Sequence, residues 1–287
     1  MTSLLSKTDH RRDLIGLKYV YPVHSRRSGG LSIGINLNTN NACNWRCIYC
    51  QVPNLTKGAA PEVDFDLLEK ELTGFLEEVM NGSFYEEFKV PPEEQVIKDF
   101  AISGNGEPTS LKKFDELIQF VGKITSEFKQ KNPTLPAFKL VLITNGSLLH
   151  LPQVQKGLHS WNELGGEVWF KLDSATLEGR LQINNFQISN ENVLRNILIS
   201  LKTCQTKIQT CLLDGAGPGT SETEKKAYQD FLSEVQKASF KPEIMFYTIA
   251  RTSHQPESEK IKALSFDEMN AFASTLQNAG WTVRVAK

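Results

Sequence analysis

Three of the five cysteines of this 287-residue chain fall within one short stretch, Cys43-Asn-Trp-Arg-Cys47-Ile-Tyr-Cys50. A CxxxCxxC spacing lets a single loop wrap three thiolates around one small object, and thiolates are the ligands of soft or borderline centres such as zinc or an iron-sulfur cluster. Three ligands leave a fourth position to fill. A structural zinc site closes with four, so zinc requires a histidine from elsewhere and makes the chain a non-catalytic binding module. A cubane held by three cysteines instead keeps one iron open to a substrate or cofactor.

Other residues of chemical interest are Gly104-Asn105-Gly106-Glu107-Pro108, Thr144-Asn145-Gly146, Lys171-Leu172-Asp173 and Asp214-Gly215-Ala216-Gly217-Pro218. Short Gly-, Asn- and Pro-rich strings are common turn punctuation. Position sets these apart, because each sits at the end of an apolar run that reads as a strand. Cys204 and Cys211 read as buried small hydrophobes rather than ligands of a second cluster. His10, His24, His150, His159 and His254 form no ligand spacing, although His254 lies where a substrate could approach. Lys57 and Arg251 are potential anion contacts, with a solvated charge as the plainer reading.

The elements that must position these residues follow from periodicity. Leu31 to Leu37 alternates like a strand and runs straight into the cysteine loop. From Asp64, residues Leu67, Leu68, Leu72, Phe75, Leu76 and Val79 recur at helical spacing, with Asp64 or Asp66 as N-cap and Asn81-Gly82 as the stop. The same unit then repeats: strands at 99–103, 139–144, 167–172, 207–213 and 243–249, with helices at 112–128, 151–158, 192–201, 222–235 and 266–276. Ser265 and Glu268 stand at capping-box spacing before the last helix, and 281–285 reads as one further short strand. Alternation of this kind demands parallel strands with right-handed crossovers, hence an α/β sheet, doubly wound or closed into a full or partial barrel. In either architecture functional residues gather at the carboxyl edge of the sheet, where the unusual residues fall.

Composition bounds the rest. Hydrophobic residues make up 40% and charged residues 23%, which excludes collagen-like and wholly disordered classes. With 32 Lys+Arg against 33 Asp+Glu there is no chain-wide basic field to collect nucleic acid or an anionic membrane. Only a local patch, such as Arg11, Arg12, Arg26 and Arg27, would serve. The first residues contain no signal-peptide h-region and no apolar run reaches membrane-span length, so the expected location is cytoplasmic, without a membrane partner.

The cysteine loop, with Tyr49 just before its last cysteine, resembles the cluster loop of the radical S-adenosylmethionine (radical SAM) superfamily. Gly104 to Pro108 resembles that family's Gly-Gly-Glu motif, and Thr144-Asn145-Gly146 and Lys171-Leu172-Asp173 match its later strand-end signatures. The resemblance spans roughly residues 31–249. Cys50-Gln51, the GxGEPT segment, Ile143 to Leu149 and Tyr247 to Arg251 look like a subgroup grouped with wyosine synthases, which modify tRNA. Those synthases carry a further set of cysteines before the triad, or a lysine that captures pyruvate; no cysteine here precedes Cys43, and a tRNA-modifying, wyosine-synthase-like enzyme stands as the alternative reading.

The resemblance implies a partial (β/α)6 barrel at residues 31–250, preceded by an N-terminal extension at 1–30 and closed by a helix and short strand at 251–287. It implies a 4Fe-4S cluster on Cys43, Cys47 and Cys50, whose open iron chelates S-adenosylmethionine, and reductive cleavage to a 5'-deoxyadenosyl radical that removes hydrogen from a substrate. Gly104 and Gly106 would let backbone approach the methionine moiety, and Glu107 would accept from its ammonium group. Asn105 belongs to the same cofactor-binding segment. Asn145 would offer a donor and an acceptor, Asp173 would face the ribose hydroxyls, and Tyr49 would pack near the adenine. Such an oxidoreductase needs a reductant, a flavodoxin or ferredoxin. Its substrate is a small molecule, a peptide or tRNA, or a partner enzyme on which it generates a radical.

Overall fold

The computed structural model describes residues 15–25, 29–215 and 221–286. Arg11, Arg12, Arg26 and Arg27, and residues 216–218 of the glycine loop, lie outside the described residues. Strands β1 (Val20–Ser25) and β2 (Gly30–Ile35) form an antiparallel pair, and β3 (Ala42–Cys43) and β4 (Thr56–Lys57) a two-residue parallel clip after them. Helices α1 (Phe65–Asn81) and α2 (Ser83–Glu87) lead to β5 (Ile97–Ile102), α3 (Phe114–Lys131), β6 (Lys139–Thr144), α4 (Pro152–Glu163) and β7 (Glu167–Lys171). Then come α5 (Leu177–Asn184), α6 (Asn190–Thr203), β8 (Gln205–Cys211), β9 (Leu213–Gly215), α7 (Glu222–Lys237), β10 (Ile244–Tyr247), β11 (Ile261–Ala263), α8 (Phe266–Asn278) and β12 (Val283–Val285).

The main sheet runs β1-β2-β5-β6-β7-β8-β10-β12. Six parallel strands in sequence order, β2 to β10, each followed by a helix on the outside, make the partial (β/α)6 barrel that the alternation implied, and β12 extends it in parallel beyond β10. β1 has no counterpart among the expected elements. Pro22 sits in it without penalty because an edge strand leaves one row of N–H positions unpaired.

The period-2 pattern along each strand decides what lies on which side. Leu31, Ile33, Phe100, Ile102, Leu140, Leu142, Val168, Phe170, Ile208, Ile244 and Phe246 join the buried core under the helices. Their neighbours Ser32, Gly34, Asp99, Ala101, Val141, Ile143, Trp169, Lys171, Gln209 and Tyr247 line the barrel interior. The outer face is thus apolar and the inner face mixed. The helix boundaries follow local chemistry: Asp64 caps α1 by accepting from Leu67 N at 3.0 Å, Gly82 ends it at φ 87°, and Ser265 with Glu268 forms the complete capping box of α8. No helix of the described residues is long and apolar enough to cross a membrane.

Candidate active site

The cysteine loop is built in two halves. Leaving β2, the chain is shaped by buried asparagines: Asn36 Oδ1 accepts from the Asn38 and Asn105 amides at 3.2 and 2.9 Å, and Asn38 Nδ2 donates to Ala42 O at 2.9 Å. Asn41 takes the left-handed φ of 53° that asparagine tolerates, and the β3/β4 clip fixes Cys43. The second half rests on the end of α5, where Arg46 N and Ile48 N donate to Asn184 O and Ile183 O. From the other side Arg46 makes a bidentate pair with Glu257 at 2.8 and 2.7 Å, Ser253 Oγ donates to Ile48 O and Cys50 O, and His254 N donates to Cys50 O. His254 therefore contributes its backbone while its side chain is exposed, and Lys57 is exposed on the clip.

Cys43, Cys47 and Cys50 are free thiols, each half-buried, and they line the mouth of a cavity of about 370 Å3 that descends into the barrel. That volume is in the range of small-molecule sites. Burial pushes the Cys43 thiol up to about 12, with Glu107 and Cys50 adding to the effect. Burial raises Cys47 well above its ordinary value too, with Asp173 next in importance. Such thiols are poor nucleophiles, since the thiolate is the reactive form. A bound metal centre reverses this, because it deprotonates its coordinating thiols. Donors already face two of the sulfurs: Asn184 Nδ2 stands 3.2 Å from Cys47 Sγ and Trp45 N stands 3.4 Å from Cys43 Sγ. Among the described residues no three His, Cys, Asp or Glu side chains close on one metal ion. A cubane needs its three thiolates spread over three irons, so the donor set fits a cluster better than a single closed ion.

The remaining expected residues meet around this mouth, with different duties from those their types suggested. Glu107 is buried; its Oε1 accepts from Thr109 N, Thr109 Oγ1 and Thr144 Oγ1 at 3.1, 2.6 and 2.5 Å, and its Oε2 from Asn145 N at 2.7 Å. It pins the loops after β5 and β6 together. Burial raises its carboxyl, and these hydrogen bonds only partly oppose the rise. A Cβ on Gly106 would stand 2.1 Å from Ala42 O, and one on Gly104 would stand 2.2 Å from Asn36 Oδ1. Both glycines are thus required by the close approach of the cysteine loop itself. Asn105 Nδ2 donates to Asn41 Oδ1, and Asn145 joins Asn44 and Ser147, so both tie that loop to the barrel.

Asp173, the expected ribose contact, sits behind the cavity wall. It is buried and absent from the cavity lining, and its oxygens accept from Cys211 N at 3.0 Å, Asn184 Nδ2 at 2.8 Å, the Tyr49 hydroxyl and Lys171 Nζ at 2.9 Å. No lone pair points to the cavity side, so Asp173 positions Tyr49 and Lys171. Lys171 Nζ lies 5.1 and 4.7 Å from the ring centroids of Tyr49 and Tyr247 and donates to the Tyr247 hydroxyl. Burial disfavours its charge, but Asp173, Tyr247 and Cys211 together outweigh that and hold it above the ordinary lysine value. Tyr49 lines the cavity with its hydroxyl committed to Asp173. Cys204 and Cys211 are buried, as expected of small hydrophobes. Arg251 Nη1 donates to Gln51 Oε1 at 2.6 Å beside the cavity.

Comparison with known proteins places this arrangement. No family model matches the chain. It is 29% identical to a UPF0026 protein of Helicobacter pylori over 86% of this chain and 70% of that one, and 27% identical to a UPF0026 protein of Synechocystis over 75% and 70%. In structure it superimposes on TYW1 with a lysine-pyruvate adduct bound, a wyosine synthase of the radical SAM superfamily, with a TM-score of 0.58 and 17% identity over 96% of this chain and 79% of that one. The fold is that of the radical SAM enzymes. A second radical SAM structure, the FeFe-hydrogenase maturase HydG from Carboxydothermus hydrogenoformans, aligns with a TM-score of 0.53 and 11% identity over 87% and 52% of the two chains. The radical SAM fold puts the carboxyl edge of the sheet, and so the cysteine loop, over the open end of the barrel.

Two groups of residues here had no sequence signal. One is the brace at 253–257, whose polar side chains bond to backbone without periodicity. The other is the interior set of Asp99, Trp169 and Gln209, legible only once strand parity is known.

Proposed function

We propose that this chain is a radical SAM enzyme of the cytoplasm, in which Cys43, Cys47 and Cys50 hold a 4Fe-4S cluster. Bound there, the cluster and S-adenosylmethionine would supply a 5'-deoxyadenosyl radical that takes hydrogen from a substrate carbon. The observation that carries this reading is the set of three half-buried free thiols that share the mouth of one barrel cavity with the glycine-rich and Asn145 loops. In this reading Gly104, Asn105, Gly106, Glu107 and Asn145 form the wall beside the cofactor, and Tyr49 borders it from the cysteine loop. Asp173 acts behind Tyr49 and Lys171 as a positioning residue. Below them Asp99, Trp169, Lys171 and Gln209 add polar groups to the mixed wall of the cavity that would receive the substrate. An external reductant, a flavodoxin or ferredoxin, supplies the electron. The core would occupy residues 31–250.

The test is anaerobic reconstitution with iron and sulfide, reduction in the presence of S-adenosylmethionine, and assay of 5'-deoxyadenosine in wild type and Cys47→Ala. Formation by the wild type and loss of about a thousandfold or more in the variant is expected, since removing one ligand of three destroys the site. A colourless protein with one zinc, no sulfide and no cleavage overturns it in favour of a binding module. Turnover with tRNA, small molecules and peptides as co-substrates then defines the substrate class.

A further inference from the structure

Behind the cysteine loop, next to the cavity, lies a second, much smaller pocket of about 10 Å3, lined by Trp45, Arg180 and Asn184 among others. Each of these three contributes a buried polar atom that no protein group satisfies: Trp45 Nε1, Arg180 Nε and Asn184 Oδ1. Buried polar groups are normally paired, and a polar space of about this size, one probe sphere, with two to four partners is what a single internal water requires. The donor count also matches. A water accepts two hydrogen bonds, from the indole and guanidinium N–H groups, and donates one to the amide oxygen.

The orientation of Asn184 gives this pocket a purpose. Its Nδ2 faces two acceptors, Asp173 Oδ2 at 2.8 Å and Cys47 Sγ at 3.2 Å, which leaves Oδ1 of the same amide as the buried acceptor to be satisfied at the pocket that Asn184 lines. Its backbone oxygen accepts from Arg46 N in the same loop. Trp45 is held by stacking on Phe186, with ring centroids 5.5 Å apart. Arg180 is fixed by the carbonyls of Ser174 and Ile188, at 3.2 and 2.9 Å.

We propose that this pocket binds one internal water, and that the water locks Asn184 so that its amide hydrogen-bonds to the Cys47 sulfur, making Asn184 a residue that sets the reduction potential of the bound cluster. Hydrogen bonds to cluster sulfurs favour the more negative, reduced state and raise the potential. The water site stands on its own; the tuning role rests on the proposed function above.

Two measurements separate the parts. In the metal-free protein, water cross-relaxation is read at the indole N–H resonances, with Trp45→Phe assigning the signal of Trp45. A cross-peak to long-lived water at Trp45, and none at Trp161, whose indole donates to Glu167 O at 3.2 Å, is expected. Its absence at Trp45 overturns the water site. In the reconstituted protein the cluster midpoint potential is titrated under S-adenosylmethionine-free conditions. Asn184→Leu and Asn184→Ser, neither able to reach the sulfur, should both move it negative, while Asn185→Ala, which removes a brace to Arg46 O in the same loop, leaves it in place. An unchanged potential in the Asn184 variants, or an equal shift in Asn185→Ala, overturns the tuning role. If wild type takes up no cluster, the proposed function fails and the tuning role falls with it, whereas the water result is unaffected.

Discussion

The two ends of the barrel each bury a carboxylate against a lysine, and they do it differently. At the amino end Glu167 meets Lys207 at 3.2 Å, Lys139 at 3.5 Å and the Trp169 indole, and Lys207 has a second acid, Glu243, at 3.4 Å. At the carboxyl end Lys171 meets one carboxylate, Asp173, which also holds Tyr49 and Asn184. The amino end is redundant and reaches solvent through Lys139; the carboxyl end is committed, each group serving several others. Redundancy suits a plug whose only duty is to close the barrel. Commitment suits a site, where the same bonds that stabilise the fold also orient the residues around the three thiols.

The largest test of this contrast removes the acid at each end. Asp173→Ala strands the Lys171 ammonium in a buried place and is expected to cost about 3–5 kcal/mol, the range for breaking a buried pair by deleting one partner. Glu167→Ala leaves Lys207 with Glu243 and should cost less, about 1–3 kcal/mol, the range for leaving buried donors such as the Trp169 indole unpaired. Urea unfolding of both variants at neutral pH decides it; equal losses would break the comparison.

Glycine substitutions sharpen it. Gly106→Ala drives a Cβ to 2.1 Å from the Ala42 carbonyl, a backbone atom that moves only if the cysteine loop moves. Gly30→Ala, at the amino end, meets Val96 O at 2.7 Å and otherwise the flexible Lys98 side chain. Overpacking of this kind costs about 1–3 kcal/mol, with Gly106→Ala expected at the upper end and Gly30→Ala at the lower. Cluster uptake should fall only in Gly106→Ala, checked by iron and sulfide content after reconstitution.

What the sequence revealed follows the same division. The six parallel strands and their helices were legible because each alternates or repeats with the period of its own geometry, as at Leu31-Ser32-Ile33-Gly34-Ile35. The cysteine, Gly104 to Glu107 and Asn145 loops were legible because they end strands. Helix α5 was not, since it is inverted: it buries Arg180, Ile183 and Asn184 while Leu177 and Leu181 stand 41% and 43% exposed, leaving no apolar stripe to read. Asp173 was visible as a carboxylate at a strand end, but a linear pattern does not show which way such a group turns. In the folded chain it turns toward Cys211 N and Asn184, away from the cavity.

Glu107 offers a test through pH. Burial raises its carboxyl above the ordinary glutamate value, so the folded state binds a proton that the unfolded state has released. Its contribution is complete at pH below the unfolded value and is lost as pH rises through the folded one. Glu107→Gln sets an amide N–H against the Asn145 or Thr109 donors and should cost about 1–3 kcal/mol. Because the variant does not titrate there, its deficit relative to wild type should be largest at acid pH and shrink as pH rises through that window. A deficit that grows with pH would mean the carboxyl is held low instead, as at a site that already carries a cation.

The smallest effect belongs to the outer clamp on the cysteine loop. Arg46 and Glu257 form a bidentate pair, but their side chains are 37% and 25% exposed. Solvent and salt screen such a pair, so Glu257→Gln should cost under about 1 kcal/mol and less still at high salt. The hydrogen bond from Arg46 holds the Glu257 carboxyl below its ordinary range, which places its stabilisation above the unfolded value and removes it as pH falls through the folded one. The wild type and variant should therefore converge at acid pH. Thermal unfolding at two salt concentrations and across that pH range checks this; a loss above about 2 kcal/mol that ignores salt is the buried-pair pattern, and it would place the clamp with the committed interior of the carboxyl end rather than on its surface.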